Sequence, residues 1–319
     1  MSPKPLISVI VCWHTPDFID KFKASLAKST ITNYELIEMG GVGLPAKKRN
    51  DGAKLAKADY LAFFDDDVEI SPDCLEHLYS VFQNVGKCGM VYGKLWKMDE
   101  PNRFDEAGGF MTNTGFIWSR AGQNEVDRGQ YDNIECILAG KSASCMVKKS
   151  IFDEVGWFDE SFGILGEETD LSWRIWLRGY KVLFDPWATG MHAFNTKFKP
   201  IPKHYNPERV QFNGCRNYIT MLIKNLGRSH LWILPIHASI WFTAGCAMLI
   251  TGKFKQGWCI LRGIGYILTH ISEILEKRKI IQSTRRVSEK ELWRTIHREA
   301  PRGYAVQRFL RYLSTSLHG

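Results

Sequence analysis

The chain begins with a short apolar run followed by an amphipathic stretch. Residues 6–12, LISVIVC, form a continuous run rich in β-branched side chains, which is typical of a strand buried on both faces. Phe18, Phe22 and Leu26 then recur at helical spacing after the helix-start sequence TPD. This pattern predicts a strand and then an amphipathic helix.

The same alternation continues to about residue 70. Residues 34–39 and 60–64 have the composition of strands, and the segment AKKRNDGAKLAKA between them is polar and helix-forming. Parallel strands need a crossover helix, so the order strand, helix, strand, helix, strand predicts an α/β fold with a doubly wound parallel sheet. Ligands of such sheets bind at the carboxyl ends of the strands.

Three consecutive carboxylates, Asp65, Asp66 and Asp67, follow the third predicted strand. Two carboxylates about 4 Å apart repel each other by roughly 4 kcal/mol at an effective dielectric of about 20, so the cluster is costly unless a cation lies among them. Side chains alternate along a strand, so Asp65 and Asp67 are expected to point the same way and to share one hard cation, Mg²⁺ or Mn²⁺. Asp66 points the other way, where it can contact a hydroxyl group of a ligand.

A possible dinucleotide motif precedes this cluster. Residues 41–46, GVGLPA, fit the loose G-x-G-x-x-A fingerprint after a strand, and Asp65 lies at about the distance of a ribose-binding carboxylate. Pro45 is unusual in that motif, an extra strand precedes it, and nothing downstream is typical of a nicotinamide pocket. NAD-dependent oxidoreduction is therefore a minor alternative.

A second acidic cluster lies about a hundred residues further on, at the start of a predicted helix. Glu167, Glu168 and Asp170 belong to it, and Asp170 and Arg174 are spaced for an i, i+4 ion pair with a structural role. Glu168 shares a helix face with apolar side chains, so its carboxylate is expected to emerge beside packed surface, where it can accept a proton.

The region between the two acidic clusters is less regular. It has a glycine-rich, polar middle after residue 95, read as loops and short strands, and a helix-like stretch from Lys149. A further strand is predicted over residues 181–185, with a turn at 186–190 before His192. A single histidine in such a position indicates packing more often than metal binding.

The composition changes beyond about residue 225. Residues 231–250 contain no Lys, Arg, Asp or Glu, and a helix of that length spans roughly 30 Å, the thickness of a bilayer core. A second apolar stretch, 258–275, is interrupted by Arg262 and Glu273. Basic residues flank both sides, so the positive-inside rule disfavours a single span and favours a re-entrant hairpin or two amphipathic helices in the membrane interface. A helical subdomain packed on the rest of the chain is the alternative.

The charge distribution indicates the kind of partner. The formal net charge is +8 with a pI near 9.0, which suits nucleic acid, anionic lipid or a phosphate-bearing ligand. No nucleic-acid motif is present and the charge is concentrated beside the apolar helices, which favours an anionic membrane surface over nucleic acid. The basic residues of the tail are Lys277, Arg278, Lys279, Arg285, Arg286, Lys290, Arg294, Arg298, Arg302, Arg308 and Arg311.

Cysteine usage and the amino-terminal sequence favour a cytoplasmic location. The eight cysteines form no C-x-x-C pair and several lie in apolar runs, as is typical of free thiols in a reducing compartment. The first apolar stretch is too short for a secretory signal. The expected location is therefore the cytoplasmic face of the cell membrane.

Three stretches resemble, in order and spacing, the catalytic domain of glycosyltransferase family 2, and most closely its rhamnosyltransferase-like members that build bacterial surface polysaccharides. They are ISVIVCWHTP, PAKKRNDGAKLAKADYLAFFDDDVEISPDCL and VGWFDESFGILGEETDLSWRIWLRGYKVLFDPWATGMH. The resemblance covers about residues 6–225. It implies a GT-A fold, with a doubly wound, mixed and mainly parallel sheet. It also implies an inverting, metal-dependent transfer of a sugar from a nucleotide diphosphate donor to an acceptor hydroxyl.

The resemblance also implies roles for individual residues. The expected ligands of Mn²⁺ or Mg²⁺ are Asp65, Asp67 and His192. The expected donor-binding residues are Asp66, Arg49 and Asn50. Glu168 falls where family members have a catalytic base, usually Asp, with Glu167, Asp170 and Arg174 supporting it, and the acceptor-side candidates are Trp157 and Asp159.

One departure from the family affects the donor. Members usually carry an Asp after the second strand that helps to hold the base and ribose, whereas this chain reads EMGG at residues 38–41. A UDP- or dTDP-sugar is expected, with a lipid-linked or nascent glycan as acceptor. The predicted division is a catalytic domain at 1–225 and a helical, membrane-associated region at 226–319. A second alternative to the glycosyltransferase function is a catalytically silent GT-A scaffold in a glycan-assembly complex.

Overall fold

The computed structural model describes residues 3–14, 16–41, 43–121, 125–194, 206–301 and 303. The chain forms two compact units: Met1–Phe110 with Ser119–Ile201, and Met111–Trp118 with Pro202–Gly319. The second unit therefore begins before residue 225 and includes a short segment from the middle of the chain. The functional division at residue 225 stays a prediction.

The strands and helices up to residue 192 are, in chain order, β1 (Ile7–Cys12), α1 (Pro16–Leu26), β2 (Tyr34–Met39), α2 (Pro45–Leu55), β3 (Tyr60–Asp65), β4 (Val68–Ile70), α3 (Cys74–Asn84), β5 (Cys88–Lys97), β6 (Glu100–Glu106), β7 (Gly109–Met111), β8 (Ile117–Ser119), β9 (Glu135–Cys136), β10 (Ser144–Lys148), α4 (Lys149–Val155), α5 (Glu167–Leu177) and β11 (Lys181–His192). A short 3₁₀ turn occupies Glu160–Phe162.

Nine of these strands form one mixed sheet. Its main path is β2-β1-β3-β10-β5-β11-β4, with β6 added to β5 and β9 added to β11. The pairs β1/β2, β1/β3 and β5/β11 are parallel, whereas β10 and β4 run antiparallel to their neighbours. Most strands of the main path therefore run in one direction, which confirms the predicted mixed, mainly parallel α/β sheet.

The apolar run of β1 is explained by burial on both faces of the sheet. All six of its residues are buried. Val9 and Val11 pack into a cluster with side chains of α1 and α3. On the opposite face Ile10 meets α2 at Gly52, where an added Cβ would lie 2.5 Å from an Ile10 methyl group. Apolar groups are thus needed on both sides of the strand, and alternation with polar residues is lost.

Strand register brings the ends of three strands together. Cys12 of β1 is paired with Asp65 of β3, so these strands end at the same level. His192 ends β11 and is paired with Val68, which begins β4 directly after the aspartates. The expectation of a strand only over 181–185 is wrong, because β11 continues through an irregularity after Asp185 and reaches His192 as a strand.

The second unit is a group of helices. They are α6 (Pro207–Asn225), α7 (Ile233–Ile250), α8 (Phe254–Thr269), α9 (Ile271–Ser283) and α10 (Glu289–Ile296), with a 3₁₀ turn at Arg228–His230. The predicted apolar stretch 258–275 is thus divided between two helices. Side chains of α6, α7, α8 and α9 form one apolar core that includes Cys215, Trp241, Ile260 and Ile274.

The tip of the β7–β8 hairpin belongs to this helical core. His237 of α7 is fully buried, and its Nδ1 donates to the Thr114 carbonyl at 2.7 Å while its Nε2 accepts from Trp241 Nε1 at 2.9 Å. Gly115 has φ +79°, and an added Cβ there would lie 2.9 Å from Ile233. Residues 111–118 are therefore packed into the second unit and belong to it.

Helix α7 matches the predicted apolar stretch at 231–250. Within the part of the chain that the structure describes, it is the one helix long and apolar enough to cross a membrane, judged by length and composition. Of this stretch, 33% is buried inside the protein. The tail residues Arg302, Arg308 and Arg311 lie outside the described residues.

Candidate functional site

The three consecutive aspartates lie where β3 turns into β4. Asp65 is the last residue of β3, and Asp66 and Asp67 form the turn before Val68. Asp66 and Asp67 are buried, whereas Asp65 is partly exposed. The alternation expected from a continuous strand does not apply to the turn, so their directions depend on the turn and its neighbours.

The turn places Asp65 and Asp67 beside the end of β11. Asp65, Asp67 and His192 each offer one ligand atom, and these atoms lie within 4.8 Å of one another. His192 Nε2 is 3.4 Å from Asp67 Oδ1. Carboxylate and imidazole groups suit Mn²⁺, and a site with three protein ligands leaves coordination positions for the oxygens of a phosphate or water. The donor set therefore fits a divalent cation.

His192 is held from behind by a second carboxylate. Its Nδ1 lies 2.7 Å from Asp105 Oδ2, and Lys141 Nζ donates to Asp105 Oδ1 at 2.7 Å. A carboxylate on Nδ1 keeps the proton on that nitrogen and directs Nε2 toward Asp67. Asp105 and Lys141 thus orient a candidate metal ligand, and the sequence pattern identified neither of them.

The pKa values of this group reflect the concentration of charge. Burial lowers the pKa of His192, but the carboxylates of Asp105 and Asp67 raise it to about 9. Burial raises the pKa of Asp105, but Lys141 and His192 hold it below the usual range of a carboxyl group. The two carboxylates on either side of His192 therefore stabilise positive charge at this position.

Arg49 connects the aspartate turn to the start of α5. Its Nη2 donates to Asp65 Oδ1 at 2.7 Å and its Nη1 donates to Glu167 Oε1 at 3.2 Å. The side chain is only 3% exposed, and although burial lowers the pKa of Arg49, Asp65 and Glu167 raise it overall. Its Nε and the Oε2 of Glu167 are buried without a hydrogen-bond partner among the described residues. Arg49 is therefore a fixed charge beside one candidate metal ligand.

The predicted donor-binding residues Asp66 and Asn50 have local partners. Asp66 Oδ2 accepts the backbone N–H of His14 at 2.9 Å, which holds the aspartate against the end of β1. Asn50 is buried, donates to the Phe158 carbonyl at 2.9 Å and accepts from the Phe158 N–H at 3.1 Å. Asn50 therefore clamps the segment before α5, and a direct contact of Asn50 with the donor stays a prediction.

Glu168 occupies the first turn of α5. It is half-buried, and burial followed by the charge of Glu167 raises the pKa of Glu168 well above that of an ordinary glutamate. A raised pKa makes a carboxylate a stronger base, which suits a proton-accepting group. The Tyr92 hydroxyl lies 3.4 Å from the Glu168 carbonyl and 2.8 Å from Ser172 Oγ, so the backbone of this turn is supported from β5.

Asp170 and Arg174 form the structural ion pair that their spacing predicted. Arg174 Nε donates to Asp170 Oδ2 at 2.9 Å, and both side chains are buried. The guanidinium also donates to the carbonyls of Val155 and Trp157, each at 2.6 Å. Trp157 has φ +64°, a left-handed conformation, so Arg174 stabilises a strained turn between α4 and α5.

The two acceptor-side candidates are engaged in local contacts. The Trp157 ring stacks on Phe152 with centroids 5.7 Å apart, and its Nε1 donates to Asp153 at 2.9 Å. Asp159 caps the 3₁₀ turn by accepting from the Ser161 N–H at 3.1 Å. Their acceptor roles stay predictions.

Lys48 is a further residue near the aspartates that the sequence pattern did not identify. It is buried beside the end of β1, where its Nζ donates to the Trp13 carbonyl at 3.1 Å and lies 3.3 Å from His14 Nδ1. Burial lowers the pKa of Lys48. The signal available in the sequence was its position next to Arg49 on a polar helix, which by itself indicates a solvent-exposed face.

Comparison with known families identifies the class of protein. The family model described as glycosyltransferase like family 2 matches residues 15–233, more than two thirds of the chain. The chain belongs to glycosyltransferase-like family 2. The matched range contains the aspartate turn, Glu168 and His192, and this family membership favours a glycosyltransferase over the NAD-dependent oxidoreductase. A search of curated protein sequences gave no match.

The solved structures that this chain matches include two that contain a nucleotide or a nucleotide sugar together with Mn²⁺. One is GalNAc-T7, crystallised with UDP, GalNAc and Mn²⁺, which is 13% identical with a TM-score of 0.58. The match covers 93% of this chain and 57% of GalNAc-T7, so this chain spans little more than half the length of that protein. Another is the mannosyltransferase PcManGT from Pyrobaculum calidifontis in complex with GDP-Man and Mn²⁺, with 12% identity, 88% of each chain covered and a TM-score of 0.46. The likeness to GalNAc-T7 confirms the GT-A type of fold that the sequence implied.

Proposed function

We propose that this glycosyltransferase transfers a sugar from a nucleoside diphosphate donor to an acceptor hydroxyl, with inversion, in a metal-dependent single displacement. The observation that carries the proposal is the convergence of Asp65, Asp67 and His192 within 4.8 Å, next to the start of a helix that bears a carboxylate of raised pKa. The presence of UDP and Mn²⁺ in the GalNAc-T7 crystal structure supports the proposal that these three residues bind a divalent cation beside a nucleotide.

The charged residues of the site have distinct tasks in this mechanism. Asp65, Asp67 and His192 would hold Mn²⁺ or Mg²⁺, which when bound supplies Lewis-acid stabilisation of the departing diphosphate. Arg49 keeps Asp65 in place, and Asp105 orients the His192 ring. Asp66, which the His14 N–H holds against the end of β1, is the proposed contact with the donor.

Glu168 is the proposed catalytic base. It accepts the proton of the acceptor hydroxyl as the oxygen attacks the anomeric carbon of the donor, and the bond to the diphosphate breaks on the opposite face. A single displacement of this kind inverts the anomeric carbon and needs no covalent nucleophile. Positioned general-base catalysis contributes a factor of about 10² to 10⁴ in rate.

The finer specificity is part of the same proposal. The resemblance to rhamnosyltransferase-like members favours a dTDP- or UDP-sugar donor and a lipid-linked or nascent polysaccharide acceptor at the cytoplasmic face of the membrane. Trp157 and Asp159, next to the turn that Arg174 holds, are the proposed acceptor-side residues. The sequence EMGG, which stands where other members usually carry an Asp after the second strand, is the proposed place at which this chain's nucleotide preference is determined.

Calorimetric titration tests the donor and metal requirement. Nucleoside diphosphates, nucleotide sugars and NAD are titrated into the protein with Mn²⁺ and again with a chelator. We expect one nucleotide series to bind only with Mn²⁺, and Asp67→Ala to lose both this binding and transfer. Metal-independent binding of NAD, or full turnover by Asp67→Ala, would overturn the proposal.

Glu168→Gln separates catalysis from binding. This variant keeps the shape of the side chain and loses the base, so it is expected to bind donor and Mn²⁺ normally and to lose at least about 10²-fold in transfer. Wild-type turnover by Glu168→Gln would remove Glu168 from the mechanism. Metal-dependent donor binding by the wild-type protein without transfer to any glycan acceptor would instead support the scaffold alternative.

A further inference from the structure

Exposed apolar side chains are concentrated on three helices of the second unit. Among the residues that the structure describes, ten of the thirteen large apolar side chains at the surface lie between residues 232 and 280. The six most exposed of them are Phe242, Ile250, Phe254, Trp258, Leu268 and Ile280. A soluble monomer rarely gathers so many large apolar groups in one region, so this surface is expected to have a partner.

Each of these helices already contributes buried side chains to a shared apolar core. On α7 the buried residues include His237, Trp241, Ala244 and Met248, which recur every three or four positions. Ile236, Phe242 and Ile250 lie on the other side of the helix and are exposed. The inner face is satisfied by the core shared with α6 and α8, so the outer face is not left over from incomplete packing within the unit.

The composition of α6 argues against a membrane-spanning arrangement of this bundle. Helix α6 packs along α8 and shares its apolar core, yet it carries Arg209 and Arg216 and buries Gln211, Asn213 and Asn217. Charged and amide groups in hydrocarbon are costly unless they are paired or line a water-filled cavity. If α7 crossed a bilayer with its packing intact, it would draw α6 toward the hydrocarbon. Lying on the membrane surface avoids this cost.

The charge of the surrounding surface selects the kind of membrane. Residues 253–286 contain eight Lys or Arg residues against two Glu residues. Lys255, Arg262 and Lys279 are exposed and lie on the same helices as the exposed apolar groups. Basic side chains beside an apolar face are attracted to anionic headgroups while the apolar groups enter the acyl boundary.

We propose that the outer faces of α7, α8 and α9, defined by Phe242, Ile250, Phe254, Trp258, Leu268 and Ile280, form a docking surface for an anionic phospholipid bilayer. The protein lies on this surface in the interface and does not cross the hydrocarbon. Docking depends on exposed side chains of the second unit and not on sugar transfer, so it can fail or hold independently of the proposed function.

Sedimentation with lipid vesicles tests the docking surface. Full-length protein is mixed with vesicles of phosphatidylcholine alone or of phosphatidylcholine with phosphatidylglycerol. We expect partitioning onto the anionic vesicles, at least about tenfold weaker for Phe254→Gln/Trp258→Gln. Lys255→Glu/Arg262→Glu is expected to remove the preference for phosphatidylglycerol, and added salt to weaken wild-type binding.

Matched variants in the first unit control for a general loss of surface hydrophobicity. Leu55 is 62% exposed and Trp187 is 48% exposed, close to the 67% of Phe254 and the 59% of Trp258. Leu55→Gln/Trp187→Gln should therefore bind vesicles like the wild-type protein. Unchanged thermal melting and unchanged nucleotide affinity of all variants show that the fold is intact.

Three outcomes would overturn the proposal. One is a wild-type protein that does not bind anionic vesicles, or a first-unit control that loses binding equally. Another is a wild-type dimer that Phe254→Gln/Trp258→Gln splits while vesicles stay unbound, which would make a second copy of the chain the partner. The third is protein that resists extraction from vesicles by alkaline carbonate, which would mean that α7 crosses the bilayer.

Discussion

At the scale of single residues, the site consists of charged groups held in place by other charged groups. Arg49 contacts Asp65, and Asp105 contacts His192, so two of the three candidate metal ligands have a fixed ionic partner. Such partners orient a ligand before the cation binds, and their loss typically costs tenfold to a hundredfold in metal affinity. The supporting residues are therefore as testable as the ligands.

Asp105→Asn is expected to weaken Mn²⁺ binding by about 10- to 100-fold while the protein stays folded. Asparagine has the shape of aspartate but not its charge, so it holds the Nδ1 proton of His192 less strongly and leaves Lys141 without its ionic partner. Titration of Mn²⁺ followed by electron paramagnetic resonance measures the affinity without a turnover assay.

A similar pair elsewhere in the first unit provides the control. Asp127 accepts from Lys94 Nζ at 3.0 Å and from Trp96 Nε1 at 2.7 Å, and neither of these partners is a candidate metal ligand. Asp127→Asn should leave Mn²⁺ affinity unchanged. If Asp105→Asn and Asp127→Asn behaved alike, the orienting role of Asp105 would be refuted.

The raised pKa of Glu168 predicts a pH dependence of transfer. A base acts in its ionised form, and burial together with Glu167 moves that form to higher pH than for an ordinary glutamate. The turnover rate at saturating donor and Mn²⁺ should therefore rise with pH through this raised pKa and fall on acidification. Steady-state rates over a pH series measure the effect, with Mn²⁺ binding followed at each pH to separate loss of metal from protonation of the base.

Glu168→Gln is the control for the pH profile. Glutamine does not titrate, so its residual activity should lack the limb that Glu168 causes. An identical pH profile in the variant and the wild-type protein would assign the titration to another group.

At the scale of secondary-structure elements, helix α5 carries both the proposed catalytic base and a buried ion pair that stabilises the fold. Its first turn carries Glu167, Glu168 and Asp170, and Asp170 pairs with Arg174, which holds the preceding segment. Asp170 is fully buried, so its charge depends on Arg174 for compensation. Stability and the position of the proposed base are thus coupled through one helix.

Arg174→Met is expected to destabilise the protein by about 3–5 kcal/mol, because it leaves a buried carboxylate without its partner. It also removes the hydrogen bonds to the carbonyls of Val155 and Trp157. Urea unfolding measures the loss. Lys47→Met removes an i, i+4 pair with Asp51 that is exposed and screened by solvent, so it should destabilise the protein far less. A loss for Arg174→Met no larger than that of Lys47→Met would contradict this account.

At the scale of the whole molecule, the two compact units are not consecutive in sequence. Residues 111–118 from the middle of the chain belong to the second unit, and so does α6. The family match, residues 15–233, ends at the start of α7 and so includes α6 without the helices that complete its core. A catalytic region ending at residue 225 therefore leaves part of a packed unit behind.

A chain truncated after residue 225 is expected to aggregate or to bind a hydrophobic dye. In the full chain the α6 side chains Cys215, Ile219 and Ile223 pack in the core with α7, α8 and α9, and truncation exposes them. Dye fluorescence and size-exclusion chromatography compare it with the full chain. A chain ending at residue 201 lacks α6 and should bind less dye. A monomeric, dye-negative chain ending at residue 225 would support the division predicted from the sequence.

Features of the fold that depend on residues close together in the chain could be predicted from the sequence. The run LISVIVC predicted β1, and the three aspartates were placed correctly at the end of β3. The structural pairing of Asp170 with Arg174 followed from helical spacing alone. These features depend on side chains within a few turns or one strand of each other, and periodicity reports such distances directly.

Contacts between distant segments were decided only by the tertiary structure. His192 reaches Asp67 because β11 continues past an irregularity and pairs with β4, a register that no local pattern encodes. Asp105 and Lys141 come from the irregular middle of the chain, where periodicity carries no signal, and the sequence motifs that identified His192 gave no reason to choose them. The sequence determined which chemical groups are present and which strands carry them. Sheet register and helix packing determined which of those groups meet. The reason is that they bring together residues far apart in the chain, and the sequence around either residue does not specify such a contact.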